Sequence, residues 1–255
     1  MTHEKLKNLL EEKAAFYNTP AFIESDPISI PHLFTKKEDI EISGFFSSVI
    51  AWGNRKMIIR NATRLMELMD MAPYDFVTGF EESDLKRFRG FVHRTFNDTD
   101  VITFLNSLKN IYLKHKSLES VIAKGYRDKG NVFDALSYFF EVFFEIEHLP
   151  RTHKHISNPA RGSAAKRLNM YLRWMVRDDD KGVDFGIWKA IPPSALMLPL
   201  DVHTARIGRK LGLLKRASND RKAVEELTAQ LRDFDPADPV KYDFALFGMG
   251  VYEKI

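Results

Sequence analysis

Apolar residues recur at helical spacing along almost the whole chain, and no stretch alternates as a half-buried strand must. The fold class expected is therefore all-α. Residues 3–17 read as an amphipathic helix, followed by an irregular arm through Pro20, Pro27 and Pro31. Thr35-x-x-Glu38 reads as a capping box ahead of the apolar run Ile40 to Trp52. Gly53-Asn54 breaks that run, and helical spacing resumes from Arg55 to Met69. Further helices are expected near 73–80, 99–114, 117–126 and 132–147, the last being apolar enough for a central buried position. The spacing then predicts helices over 163–177, 202–211, 220–233 and 239–250, with Gly212 as the C-cap of the second of these.

A chain of 255 residues can bury one substantial core or two small lobes. The absence of cysteine removes disulfides, thiolate catalysis, thiolate zinc sites and cysteine-ligated iron–sulfur clusters. The sequence opens on charged residues and contains no run long enough to span a membrane, so a cytoplasmic protein without membrane contact is expected. The net charge of +3 conceals an asymmetry: residues 151–216 carry 14 Lys and Arg against 5 Asp and Glu. Within 151–177 there are seven basic side chains and no acidic one. A localised basic stretch is the footprint of phosphate or nucleic-acid binding, set against the plainer reading of a solvated helix face.

Two segments inside that stretch carry chemistry. Gly162-Ser163-Ala164-Ala165-Lys166 places small residues and an amine where a helix begins. Open amides at a helix start accept a phosphate, and an amine beside them is a candidate nucleophile. Pro199-Leu200-Asp201-Val202-His203-Thr204-Ala205-Arg206 places a carboxylate at a second helix start. Such an aspartate is most often a plain N-cap, but its apolar lead-in would hold it partly buried, where it could assist proton transfer or stabilise a cationic sugar. Along the helix 163–177, Leu168, Tyr171 or Leu172, and Met175 form a core stripe, while Lys166, Met170, Arg173 and Arg177 share another face.

Other candidates are weaker. His148, His153 and His155 near Glu145 and Glu147 could suggest a metal, though a solvated or phosphate-contacting loop reads better; no metal site and no cofactor are expected. Asp178-Asp179-Asp180 with Asp184 could hold Mg²⁺, but acidic runs beside glycine are usually solvated turns. Trp52, Trp174 and Trp188 could stack on bases, with Trp174 better suited to the core.

Lys166 and Asp201 in their segments resemble the helix-hairpin-helix–GPD superfamily of DNA base-excision glycosylases, the endonuclease III type. Those proteins carry a hairpin reading roughly L-P-G-x-G-x-K-T-A, then V-D-T-H-V-x-R. Gly162 matches the first hairpin glycine, Lys166 the lysine that attacks the sugar in bifunctional members, Asp201 the catalytic aspartate, and His203 and Arg206 the following H and R. The break Trp52-Gly53-Asn54-Arg55 resembles the loop that meets the flipped-out nucleotide, and Tyr242 to Gly250 the late helix packing under the site. The departures are Ala164 at the second glycine, Arg167 where threonine is usual, exchanged Val202 and Thr204, and 35 positions between lysine and aspartate. Lys166 to Arg177, K-R-L-N-x-x-L-R-W-M-V-R, also resembles an uncharacterised bacterial family of this size, without cluster-binding cysteines.

The resemblance implies a two-lobed helical fold: a barrel lobe over 39–177 ending in the hairpin, and a second lobe from 1–38 plus 178–255, with the site between them. It implies a glycosylase acting on duplex DNA with a damaged or abasic nucleotide. Lys166 and Asp201 would be catalytic, with AP-lyase activity through a lysine Schiff base. Arg161, Gly162, Ser163, Ala164, Arg167, His203, Arg206, Trp52, Asn54 and Arg55 would contact nucleic acid. No protein partner is implied. The alternatives are a non-catalytic nucleic-acid-binding protein of the same fold and, with less support, a metal-dependent nuclease or phosphohydrolase.

Overall fold

The computed structural model describes residues 2–253. Twelve α-helices occur among them: α1 (His3–Tyr17), α2 (Ala21–Glu24), α3 (Lys37–Val49), α4 (Arg55–Leu68), α5 (Pro73–Gly79), α6 (Asp98–His115), α7 (Leu118–Lys129), α8 (Val132–Phe143), α9 (Lys166–Val176), α10 (Val202–Lys210), α11 (Arg221–Phe234) and α12 (Tyr242–Gly248). Short 3₁₀ turns join many of them. The strands β1 (Val92–His93) and β2 (Phe96–Asn97) form a minimal antiparallel hairpin, with Val92 opposite Asn97 and His93 opposite Phe96. The protein is all-α, as the periodicity requires. Among the described residues, no helix is long and apolar enough to cross a membrane.

The chain forms two compact units, one from residues 24–157 and one from residues 1–23 with 158–255. This division differs from the expected lobes: the hairpin and α9 group with the C-terminal residues, and 24–38 groups with the middle of the chain. The reason lies in α9. Its last carbonyls, on Trp174 and Met175, accept from Phe185 N and Trp188 N at 2.8 Å each, so the following loop folds back along it.

In the unit 24–157 the buried centre is α3, not the apolar α8. Every residue from Ile40 to Val49 is buried, including Ser43, Ser47 and Ser48. Those serines donate to carbonyls three or four residues back on their own helix, which lets hydroxyls sit in the core. α8 keeps a partly exposed face at Asp134, Ser137 and Glu141. Phe45 lies 5.7 Å from both Phe104 and Phe139 and 5.5 Å from Phe143, ring centre to ring centre. Each buried phenylalanine contributes roughly 1.5–3 kcal/mol through its apolar area.

Two expected start signals changed. The capping box at Thr35 does not form: Lys36 is the N-cap of α3 and makes no side-chain cap bond. Asp39 instead accepts from Tyr74 N at 2.8 Å, at the first turn of α5. A capping box does form at Asn97 and Asp100, opening α6.

In the unit 1–23 with 158–255, α1 buries Leu6, Leu10 and Ala14 and packs on α12. Tyr242 donates its hydroxyl to Glu11 of α1 at 2.5 Å. The approach at Gly248 leaves no room for a side chain, because an added Cβ would land on the Tyr17 ring. Gly248→Ala should therefore lower stability by about 1–3 kcal/mol through overpacking. Chemical denaturation checks this; an unchanged midpoint would mean that Tyr17 swings aside freely.

Candidate functional site

The hairpin is built by local bonds. Asn158 accepts from Ala160 N at 2.9 Å and opens the 3₁₀ turn Pro159–Arg161. Gly162 follows with φ +82°, a conformation that glycine adopts without penalty. Its carbonyl accepts from Arg221 N at 3.0 Å, which ties the hairpin to the first residue of α11. Ser163 Oγ accepts from Ala165 N at 3.1 Å. Ala165 is the N-cap of α9 and is left-handed, with φ 47° and ψ 37°. An alanine there stores on the order of 1 kcal/mol of strain. The left-handed residues of the hairpin are thus Gly162 and Ala165, the latter one position after the glycine-to-alanine departure at Ala164.

Lys166 and Asp201 meet. Lys166 Nζ lies 3.6 Å from Asp201 Oδ2, although 35 residues separate them. The carboxylate divides its oxygens: Oδ1 accepts from His203 N and Thr204 N at 2.8 Å each, which caps α10 and leaves Oδ2 to the amine. The Asp201 side chain retains 10% exposure and the Lys166 side chain 36%, so the pair is accessible but mostly covered.

The face of α9 that carries Lys166 also carries Arg173, Arg177 follows as the C-cap, and the fold meets both arginines with acids. Arg173 NH1 donates to Asp243 Oδ2 at 2.5 Å and its Nε to Asp184 Oδ1 at 3.3 Å. Arg177 bonds Asp179 at 2.6 Å, Asp184 at 3.1 Å and Asp238 at 2.7 Å. Both guanidinium groups lie over the Phe244 ring, at 4.3 and 5.5 Å. Three neighbouring acids outweigh burial and hold Arg177 above its usual range. The acidic run is in part the solvated turn expected, with Asp178 and Asp180 exposed, but Asp179 and Asp184 are drawn into the arginine network. Asp184 is buried between the two arginines, and Asp178 and Asp180 pair with Lys189 and Lys181.

These pairs revise the basic footprint. Of the seven basic residues in 151–177, four are ion-paired within their own unit among the described residues: Arg151 with Asp100, Lys166 with Asp201, and Arg173 and Arg177 as above. Arg161 and Lys154 are exposed. Arg167 is half-buried, and desolvation pushes its guanidinium down to about 10. Arg206 donates to Gly250 O at 2.7 Å, bracing α10 against the π-helical turn after α12. His203 lies 6.4 Å from the Phe247 ring.

Trp52, Asn54 and Arg55 belong to the unit 24–157. Asn54 caps α4, accepting from Met57 N at 3.2 Å. Trp52 is half-buried, edge-on to His93 at 5.0 Å and parallel to His155 at 5.9 Å. His93 Nδ1 is bonded to Asn61 at 2.9 Å, and burial pushes its imidazole down. His155 is buried against Asp100 at 3.1 Å, and Asp100 also accepts from Thr152 at 2.8 Å. His155 is thus a buried structural residue, while Leu149, Pro150, Arg151 and Lys154 of the same segment remain exposed. His148 Nε2 faces His153 Nε2 at 2.6 Å, and among the described residues no group of three or more acids and histidines is placed to hold a metal. Trp174 and Trp188 are buried, which removes Trp188 as a stacking surface.

Residues 26–252 match a family described as "Protein of unknown function (DUF2400)". The chain belongs to this family. No curated protein and no solved structure matches it.

Asp243 is the site residue that periodicity missed. It is fully buried, and burial with the nearby Asp201 charge lifts its carboxyl to about 7 against Arg173 and Lys166. The signal was an acid inside the apolar run Tyr242 to Leu246. Its folded pKa lies above its unfolded one, so the folded state holds the proton more tightly. The resulting stability is present below the unfolded value of 3.8 and is lost as pH rises towards about 7. Asp243→Asn should therefore flatten the fall in stability across that window. Denaturation midpoints measured across it check the sign. A second expectation separates capping from chemistry at Asp201: Asp201→Ala should cost about 1 kcal/mol through the lost cap, whereas Asp201→Asn should retain it. Thermal unfolding of both variants tests that order.

Proposed function

We propose that this protein is a DNA base-excision glycosylase with lyase capacity, acting through Lys166 and Asp201. The observation that carries the reading is the 3.6 Å approach of Lys166 Nζ to the free oxygen of Asp201, at the starts of two different helices. The resemblance of these two segments to helix-hairpin-helix–GPD glycosylases supplies the substrate: a damaged or abasic nucleotide turned out of duplex DNA.

The proposed chemistry uses the split roles of the carboxylate. Asp201 Oδ2 takes a proton from Lys166, while Oδ1 stays on the α10 amides and fixes the geometry. The neutral amine attacks the sugar C1′. An N–C1′ bond forms, the glycosidic bond breaks, and the base leaves with that electron pair and a proton. Opening of the sugar, with the proton held by Asp201 passing to O4′, gives a protonated Schiff base; water then takes the C2′ proton and the C3′–O3′ bond breaks, releasing the 3′ phosphate. Exposed Arg161 and the uncapped start of α9 would contact the DNA backbone. The metal-dependent alternative draws no support from the acids it would need, because Asp179 and Asp184 are occupied by Arg177 and Arg173.

Borohydride with DNA carrying an abasic site or an oxidised base should trap a covalent adduct, and Lys166→Gln should abolish it while binding persists. Asp201→Asn should slow base release by at least ~10²-fold with the fold intact. Binding without any adduct across a broad lesion panel would instead favour the non-catalytic reading. Affinity for duplex DNA should fall steeply with salt, and Arg161→Glu should reduce the salt slope by about one. Equal affinity at low and high salt would remove nucleic acid as the partner.

A further inference from the structure

The unit 24–157 carries a basic surface of its own. Residues 55–64 contain four Lys and Arg and no Asp or Glu, and residues 86–97 contain another four and no acid. The fold packs these two segments together. Asn61 of α4 is bonded to His93 Nδ1 at 2.9 Å, and His93 Nε2 donates to the Trp52 carbonyl at 3.3 Å. The Arg64 guanidinium lies 5.9 Å from the centre of the Phe91 ring. Arg94 lies against Gly53, where an added Cβ would be 3.1 Å from its NH1. The β1–β2 hairpin is thereby fixed beside the exposed side of α4.

We infer that Lys56, Arg60 and Arg64 of α4, with Arg94 at the hairpin tip, form a second nucleic-acid surface that grips the phosphate backbone of duplex DNA. The inference goes beyond the glycosylase reading, because it needs no reaction at Lys166.

Lys56, Arg60 and Arg64 recur every four residues, so they form one row along α4 with steps of about 6 Å. These three and Arg94 are exposed, and among the described residues none of the four is paired with a carboxylate. The acids nearby are spent: Asp70 and Asp84 hold Arg87, and Asp98 accepts from the Gly90 and Thr99 amides. Like charges four residues apart repel along a helix, and here no acid relieves them. Such a row suits a polyanion. Arg94 opens the two-residue turn of the hairpin at φ +54°, a conformation that favours glycine or asparagine, so the turn itself does not call for a cation. Two observations choose the occupant. α4 buries Ile58, Ala62, Leu65 and Met66, so it keeps no apolar face for a lipid surface, and Met57 and Val92 are exposed as single side chains. Phe91 and His93 are buried, so the rings of the hairpin give unpaired bases no platform. Charge without a stacking surface fits the outer backbone of a duplex.

Affinity of the full chain for a short unmodified DNA duplex, measured by fluorescence anisotropy across a salt series, tests this. With Lys56→Gln, Arg60→Gln and Arg64→Gln combined, affinity should fall at least about tenfold at about 0.1 M salt, and the salt slope should drop by about three. Arg94→Asn, which keeps the left-handed turn without penalty, should lower the slope by about one and decides the matter if the triple variant folds poorly. Arg60→Lys with Arg64→Lys should bind as the wild type does, because backbone contact depends on charge. Unchanged affinity and slope in the triple variant overturn the inference, and an unchanged slope in Arg94→Asn overturns the hairpin's share in it. A triple variant that keeps its duplex affinity but loses binding to phosphatidylserine vesicles or to a single-stranded oligonucleotide also overturns it. Borohydride trapping keeps the two readings apart. No adduct in any form, with duplex affinity lost in the triple variant, defeats the glycosylase reading and leaves this surface standing. An adduct in every form, with duplex affinity unchanged, does the reverse.

Discussion

The face of α9 that carries Lys166 and Arg173, with Arg177 as the C-cap, is the constraint around which its unit is arranged. An unpaired guanidinium in an apolar interior costs several kcal/mol, so each arginine has to be met by acids with good geometry. The acids come from three places: Asp179 and Asp184 from the loop after α9, Asp238 from the turn before α12, and Asp243 from α12 itself. Phe244 supplies the aromatic face beneath both cations. This accounts for why α9 groups with the C-terminal residues and why the loop 178–188 returns along it.

The Lys166–Asp201 pair is the accessible end of that ladder, and its difference from the rest is informative. Arg173 and Arg177 are met at 2.5 to 3.3 Å by buried acids, whereas Lys166 reaches a single carboxylate oxygen at 3.6 Å. The same helix face thus grades from a closed structural network to an open pair whose lysine side chain is one-third exposed. The left-handed Ala165 immediately before Lys166 sets where the helix begins, and so where the amine projects. Backbone strain of this kind persists only when the surroundings over-determine it; here the Ser163 hydroxyl and the Gly162–Arg221 bond hold the hairpin.

The unit 24–157 solves a different problem. Its core is aromatic around Phe45, and several of its buried polar groups are paired: serines with carbonyls of their own helix, Glu41 with Tyr112 at 2.8 Å, and Asp100 with Thr152, His155 and Arg151, whereas the Ser29 and Ser107 hydroxyls have no partner. Trp52, between α3 and α4, lies edge-on to one pinned histidine and parallel to another.

The sequence by itself determined the helices and their order, because the 3.6-residue period is local and survives in apolar spacing. It also isolated Lys166 and Asp201, each at a helix start marked by small or capping residues, and Gly212 as the turn ending α10. It misjudged what depends on partners distant in the chain. The basic excess in 151–177 looked open to phosphate, but the acids that occupy it lie as far as 70 residues away at Asp243 and 51 residues away at Asp100. The capping box at Thr35 does not form because α3 begins one residue later, with Lys36 as its N-cap, and the serines of α3 can lie in the core because they bond carbonyls of their own helix. Charge pairing and burial are long-range properties of the folded chain. Only the tertiary structure could decide which cations are spent on structure and which, like Lys166, remain accessible.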